Sequence, residues 1–141
     1  MEGKFTESTR HYITLLQENI KRMAANSAKC KTWLITLVTA IAAFHDKIAA
    51  LWVLLITIVF FYFLDCYYLG LERRFIAIHK EFVKAVKEDN DKDVSDRLYT
   101  FDITAIRDKY ATTKSALTSK STLPFYLLLF VAIIVLSIYK S

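Results

Sequence analysis

The sequence predicts an all-α membrane protein: a long helical hairpin extended into a cytoplasmic stalk, followed by a third, C-terminal membrane span. Three observations support this fold class. Apolar side chains are concentrated in residues 32–44, 48–68 and 122–139 of a 141-residue chain. The chain is 55% hydrophobic with two Gly and one Pro, a composition that favours helices over strands or disorder. Apolar residues outside these stretches recur at helical spacing.

The first long helix is expected over about residues 9–45, with its membrane span at about 28–46. Its apolar core of 13 residues covers only roughly 20 Å as a helix. Lys29 and Lys31 extend the span, because lysine stems lie along apolar surface while the ammonium groups reach water. An apolar stripe at spacings of three and four precedes the span and consists of Ile13, Leu16, Ile20 and Met23.

The second long helix is expected over about residues 48–88, with its span at 48–68. These 21 residues cover roughly 32 Å, enough to cross a hydrocarbon layer. A second apolar stripe follows the span and consists of Leu71, Phe75, Ile78, Phe82 and Val86. Only residues 45–47 separate the two apolar runs, so a tight turn there should bring the stripes together. Residues 1–88 are therefore predicted to form one hairpin with its stalk.

Residues 89–121 are expected to form a cytoplasmic connector to a third transmembrane helix at residues 122–141. The acidic run 88–93 should end the second helix. Residues 97–110 fit either a short extended piece or a helix. Pro124 suits the first turn of the third helix, where a missing backbone N–H costs nothing.

The distribution of basic residues indicates the orientation. Of 19 Lys and Arg, six lie in residues 1–31 and eleven in residues 72–120, leaving Lys47 and Lys140. Cytoplasmic loops carry the excess of positive charge in membrane proteins. The N-terminus and the connector are therefore expected in the cytoplasm, and the C-terminus outside.

No pattern in the chain indicates an enzyme, a cofactor or a metal site. There is no phosphate-binding loop, no nucleophile with a nearby base and no paired carboxylates in a plausible cleft. The three histidines lack ligand spacing. Cys30 and Cys66 both fall near the cytoplasmic end of the hairpin, where a reducing compartment favours free thiols.

A row of cations lies opposite the apolar stripe of the second helix. Arg73, Lys80, Lys84 and Lys87 fall within about a 60° arc of a helix. Three more cations, Lys21, Arg22 and Arg74, are expected nearby. Such a surface suits a polyanion, either phospholipid headgroups, a nucleotide or a single nucleic-acid strand. The alternative is a basic juxtamembrane face that only reflects topology.

Two further features of the spans are candidates for function. Asp65, near the end of the second span, is costly there unless paired or hydrated. Folding the hairpin about Asp46 places it level with residues 26–30. A cation from residues 22–31 or from a neighbouring subunit is the expected partner, with Lys29 or Arg22 favoured, in a role of either register or gating. Small hydroxylated residues also share one face of the first span, where they either pack against another helix or line a pore. They are Thr32, Thr36 and Thr39.

Several short motifs resemble a known family. They are RMAANS at residues 22–27, KTW at 31–33, FLD at 63–65 with Tyr67, Tyr68, Leu71, Glu72 and Arg74, and STLPFY at 121–126. The chain resembles the membrane effectors of Hailong-type antiphage-defence systems, small bacterial proteins encoded beside nucleotidyltransferases. The resemblance implies an oligomeric ion channel in the inner membrane, with a tetramer favoured. It also implies that DNA oligomers made by a cytosolic partner nucleotidyltransferase hold the channel closed.

Taken with this resemblance, the leading hypothesis is a ligand-controlled channel that depolarises the membrane during abortive infection. Three spans cannot enclose a pore alone, so a symmetric ring of subunits surrounded by membrane lipid is expected. The expected ligand, following the resemblance, is a DNA oligonucleotide or a nucleotide second messenger. Two alternatives remain: a non-conducting anchor or adaptor whose stalk docks a cytosolic partner, and a holin-like lytic protein.

Overall fold

The computed structural model of the chain describes residues 6–44, 47–88, 91–100 and 113–139. Five helices account for 91% of these residues, and no strand occurs among them, which confirms the all-α prediction. They are α1 (Glu7–Phe44), α2 (Lys47–Lys87), α3 (Asp91–Arg97), α4 (Thr113–Leu117) and α5 (Leu123–Tyr139). The expected turn residues 45–46, the connector residues 101–112 and the terminal residues 1–5 and 140–141 lie outside the described residues.

The two long helices begin and end within two residues of the expected limits. α1 has 38 residues and α2 has 41, so each is about 60 Å long. Thr6 caps α1, because its Oγ1 accepts a hydrogen bond from the Thr9 backbone N–H at 3.3 Å. Leu51–Lys87 is long and apolar enough to cross a membrane, and Leu123–Val135 is a shorter apolar helix.

The stalk core confirms the expected meeting of the two apolar stripes. Leu16 of α1 packs in one buried cluster with Phe75, Ile78 and Phe82 of α2, and Ile13 and Ile20 lie against it. Tyr12, which the stripe did not include, is fully buried in the same cluster.

Tyr12 also links the stalk to the chain segment after α3. Its ring meets Phe82 edge-on, with centroids 4.7 Å apart, and its hydroxyl donates to the Thr100 carbonyl at 2.9 Å. Burial raises the pKa of the Tyr12 phenol, an effect that the charge of Arg97 opposes. The phenol therefore remains a neutral hydrogen-bond donor over the physiological pH range.

α3 folds back onto the stalk, an element that the sequence did not reveal. Val94 and Leu98 pack against the stalk core. Arg97 donates to Asp93 and to Glu81 of α2, each at 2.8 Å, and these hydrogen bonds raise the pKa of its guanidinium. Tyr99, just beyond α3, adopts the left-handed conformation with φ 61°, which costs about 1–2 kcal/mol in a non-glycine residue.

A second core joins α1, α2 and α5. Leu34, Leu54, Ile58, Tyr126 and Ile133 are buried together in it. Pro124 lies in the first turn of α5, as predicted. The large apolar side chains that remain exposed lie between positions 33 and 67 or between 123 and 138, with Tyr99 as the exception among the described residues.

Truncating Phe82 should destabilise the stalk. Phe82 is 1% exposed, so Phe82→Ala should lower the free energy of unfolding by about 3–5 kcal/mol. Phe63→Ala is the matched control on the same helix, because Phe63 is 58% exposed and should cost much less. Thermal unfolding in detergent, followed by circular dichroism, measures both variants. Equal shifts in Tm would contradict the packing described for the stalk.

Candidate functional site

A fully buried carboxylate lies where the apolar part of the hairpin meets the stalk. Asp65 of α2 has no exposed surface. The Ser27 hydroxyl donates to its Oδ1, and the Lys31 ammonium lies 2.6 Å from its Oδ2. Ser27 and Lys31 are four residues apart on α1, so one turn of that helix presents both groups to the carboxylate. Lys31 also donates to the Ser27 Oγ at 3.3 Å, which closes a three-residue network.

The partner of Asp65 is Lys31, and not Lys29 or Arg22 as expected. The general prediction of a cation between residues 22 and 31 is confirmed, but the choice within that range was wrong. Lys29 precedes Lys31 by two residues, which corresponds to about 200° around a helix. Lys29 and Arg22 are accordingly exposed, while the Lys31 side chain is 21% exposed.

Two thiols and α5 surround the carboxylate. Cys30 and Cys66 are buried and free, which agrees with the expectation that they act as small apolar residues. Tyr126 of α5 is buried, and its hydroxyl donates to the Phe61 carbonyl at 3.1 Å. Tyr62 donates to the Leu117 carbonyl at 2.6 Å. Both phenols fix the entry of α5 against α2.

One cation of the predicted row on α2 is engaged by other residues of the chain. Arg73 is half-buried because α4 lies over it. Its guanidinium donates to Ser115 at 2.9 Å and to Ser119 at 3.2 Å. Burial raises the pKa of the neighbouring Glu72, and the positive charge of Arg73 opposes that shift.

The remaining predicted cations divide by exposure. Lys80, Lys84 and Lys87 are exposed on α2, and Lys84 makes an exposed ion pair of 3.7 Å with Glu88. Such surface pairs hold a side chain weakly, so Lys84 can still turn to a ligand. On α1, the predicted cations Lys21 and Arg22 are exposed. On α2, Arg74 is half-buried.

The three threonines of α1 are not covered by any other described residue. Thr32, Thr36 and Thr39 are all exposed, and each hydroxyl donates to the carbonyl four residues earlier in α1. This face therefore presents small side chains and threonine oxygens at a level where the exposed side chains of α2 and α5 are large and apolar.

The described residues hold no group of three or more His, Cys, Asp or Glu side chains arranged for a metal ion. Comparisons of the chain with protein-family models, curated proteins and solved structures give no match.

Sequence reasoning missed several partners of the site. Ser27 carried a signal, because it precedes Lys31 by one turn, but serine is common on helix faces near a membrane. Ser115 and Ser119 lie in residues 89–121, which were predicted only to form a connector. The hydrogen bonds of Tyr62 and Tyr126 have no sequence signature, because their partners are backbone carbonyls.

Removing one member of the ion pair should affect the protein asymmetrically. Lys31→Met leaves a buried Asp65 without a counter-charge and should cost about 3–5 kcal/mol of stability. Asp65→Asn should cost less, because the partly exposed Lys31 can turn toward water. The double variant should be more stable than the two single losses added together predict. Unfolding in detergent and light scattering report stability and subunit number.

Lys29→Met is the matched control for these variants. It removes the same charge from an exposed position, two residues before Lys31. It should leave stability nearly unchanged. If Lys29→Met and Lys31→Met lose stability equally, then the Asp65 pair does not hold α1 against α2.

Proposed function

We propose that this chain is a subunit of a ligand-controlled ion channel in the bacterial inner membrane. The observation that carries the proposal is the uncovered threonine face of α1 within a layer where the other exposed side chains are apolar. A single subunit leaves this face without a protein partner among the described residues. A channel formed by several copies gives it a role.

The exposed apolar surface supports a membrane setting with three spans. Exposed apolar side chains in two separated parts of the chain form large patches, which soluble monomers rarely tolerate. On α5, Leu128 is 73% exposed and Ile138 is 71% exposed. In this proposal α1, α2 and α5 each cross the membrane, with the N-terminus in the cytoplasm and the C-terminus outside, as the basic residues favour.

The threonine face supports assembly of copies into a ring. Small and hydroxylated residues allow close helix contacts in a membrane, and threonine oxygens can also meet water and ions in a pore. Both uses direct α1 toward other copies and leave α2 and α5 toward lipid. A symmetric ring covers the threonine face of every subunit, and the tetramer that the family resemblance implies is the simplest such ring.

The stalk cations support control by a polyanion. Lys80, Lys84 and Lys87 are exposed on one face of α2, and rings of such faces repel each other when empty. A bound polyanion neutralises this charge and draws the stalks together, so the bound state is the closed one. Following the resemblance, the polyanion is a DNA oligomer from a partner nucleotidyltransferase, and its loss during infection opens the channel and depolarises the cell.

A cysteine at Thr36 should report whether α1 lines the pore. In liposomes, Thr36→Cys channels should lose conductance on addition of a water-soluble, charged thiol reagent. Wild-type channels should not respond, because Cys30 and Cys66 are buried. Ile56→Cys is the control on a lipid-facing surface, since Ile56 is 67% exposed in the apolar layer.

Two outcomes of these flux measurements would contradict parts of this proposal. Disulfide cross-linking of Thr36→Cys between copies, without any effect of the reagent on flux, would make the face a packing surface and not a pore wall. Absence of flux from wild-type protein at every condition would favour a non-conducting anchor.

Binding of a short single-stranded DNA should depend on the stalk lysines. The Lys80→Glu, Lys84→Glu double variant should lose binding and conduct in the presence of the oligonucleotide. Phosphate contacts release counterions, so wild-type affinity should fall steeply as salt increases. Lys92→Glu is the control, an exposed reversal on α3 outside the proposed surface. Wild-type binding that is indifferent to salt, or to the double reversal, would leave the row as a topology signal.

A further inference from the structure

We infer that the proposed channel conducts anions in preference to cations, and that Lys29 sets this preference at the cytoplasmic entrance. The inference rests on the proposed function, because it concerns the ion that passes through the pore. Its basis is the contrast between an exposed cation on the threonine face and a carboxylate that is paired inside the subunit.

Lys29 is exposed and lies on the same face of α1 as the threonines. It precedes Thr32 by three residues and Thr36 by seven, which places all three within about a 60° arc of the helix. In a ring that turns this face inward, Lys29 stands about one turn outside the first threonine, at the cytoplasmic end of the apolar layer. No salt bridge to Lys29 occurs within the described part of the chain.

No carboxylate of α1 offsets this charge. The helix contains neither Asp nor Glu from Asn19 to its end at Phe44. Glu18 is the last acid before that stretch, and it lies 11 residues from Lys29, about 16 Å along the axis. Glu18 is three residues from Lys21 and can offset that cation, so Lys29 is the uncompensated charge nearest the pore.

Among the described residues of the two hairpin spans, the one carboxylate lies away from the threonine face. Asp65 is the only acid of α2 between Lys47 and Leu71. It is fully buried and paired with Lys31 at 2.6 Å, so its charge is cancelled inside the subunit. Had Asp65 been exposed on the threonine face, a ring of carboxylates would attract cations.

The sign of the uncovered charge therefore determines which ion enters. Rings of Lys or Arg are the usual filters of anion pores, and rings of Asp or Glu those of cation pores. Low-dielectric walls strengthen the field of such a ring along the pore axis. Several Lys29 ammonium groups around a narrow mouth raise the local anion concentration and repel potassium.

The test is the reversal potential of the ligand-free wild-type protein in a bilayer between unequal KCl solutions. Chloride should be preferred over potassium by a permeability ratio on the order of threefold or more at low salt, and by less at high salt. Lys29→Glu should reverse the sign of the reversal potential. Lys29→Arg keeps the charge and should keep the preference.

Lys92→Glu is the matched control, because it makes the same charge change at an exposed position on α3 and should leave the ratio unchanged. Conductance with a potassium preference, or a ratio unaffected by Lys29→Glu, would overturn the inference while the proposed channel stands. A complete absence of conductance would overturn the proposed function, and the inference with it.

Discussion

The buried charge of Asp65 constrains how the two long helices lie against each other. Its carboxylate has no exposed surface, so groups of the protein must replace water, and Ser27 and Lys31 do so. Apolar stripes pack in several registers, because apolar contacts are not directional. A slide of α1 by one turn, about 5.4 Å, would take at least one of the two partners away from the carboxylate. The buried charge would then cost several kcal/mol, so the pair selects one register.

Much of the fold could be predicted from the periodicity of apolar residues in the sequence. The stripes of α1 and α2 identified the stalk core because an apolar face must be covered, and Pro124 located the start of α5. The choice of Lys29 over Lys31 failed because pairing about a turn is accurate to a few residues, while two residues change the direction of a side chain by about 200°. The partner of Asp65 is therefore determined by which side of α1 each lysine lies on, and the approximate pairing of the two helices does not resolve this.

Contacts between distant segments were beyond sequence reasoning. α3 is held by Arg97, and α4 by the hydroxyls that meet Arg73, and neither contact leaves a repeating pattern in the chain. Tyr12 was not part of the predicted stalk stripe, although it is fully buried in the stalk core. Its hydroxyl is satisfied by the Thr100 carbonyl, 88 residues away in sequence, which is what permits complete burial.

Hydrogen bonds between distant segments also connect the proposed ligand surface to α5. Arg73 lies at the base of the cationic face, yet its guanidinium is bound to Ser115 and Ser119 ahead of α5. Tyr62 and Tyr126 add two more hydrogen bonds between α2 and the start of α5. A shift of α2 in the stalk must therefore carry α5 with it, or break these bonds. The ion pair at Asp65 ties α1 to the same section of α2. Drawing the stalks together would thus move all three helices as one unit, and the face of α1 would be displaced without any change inside the subunit.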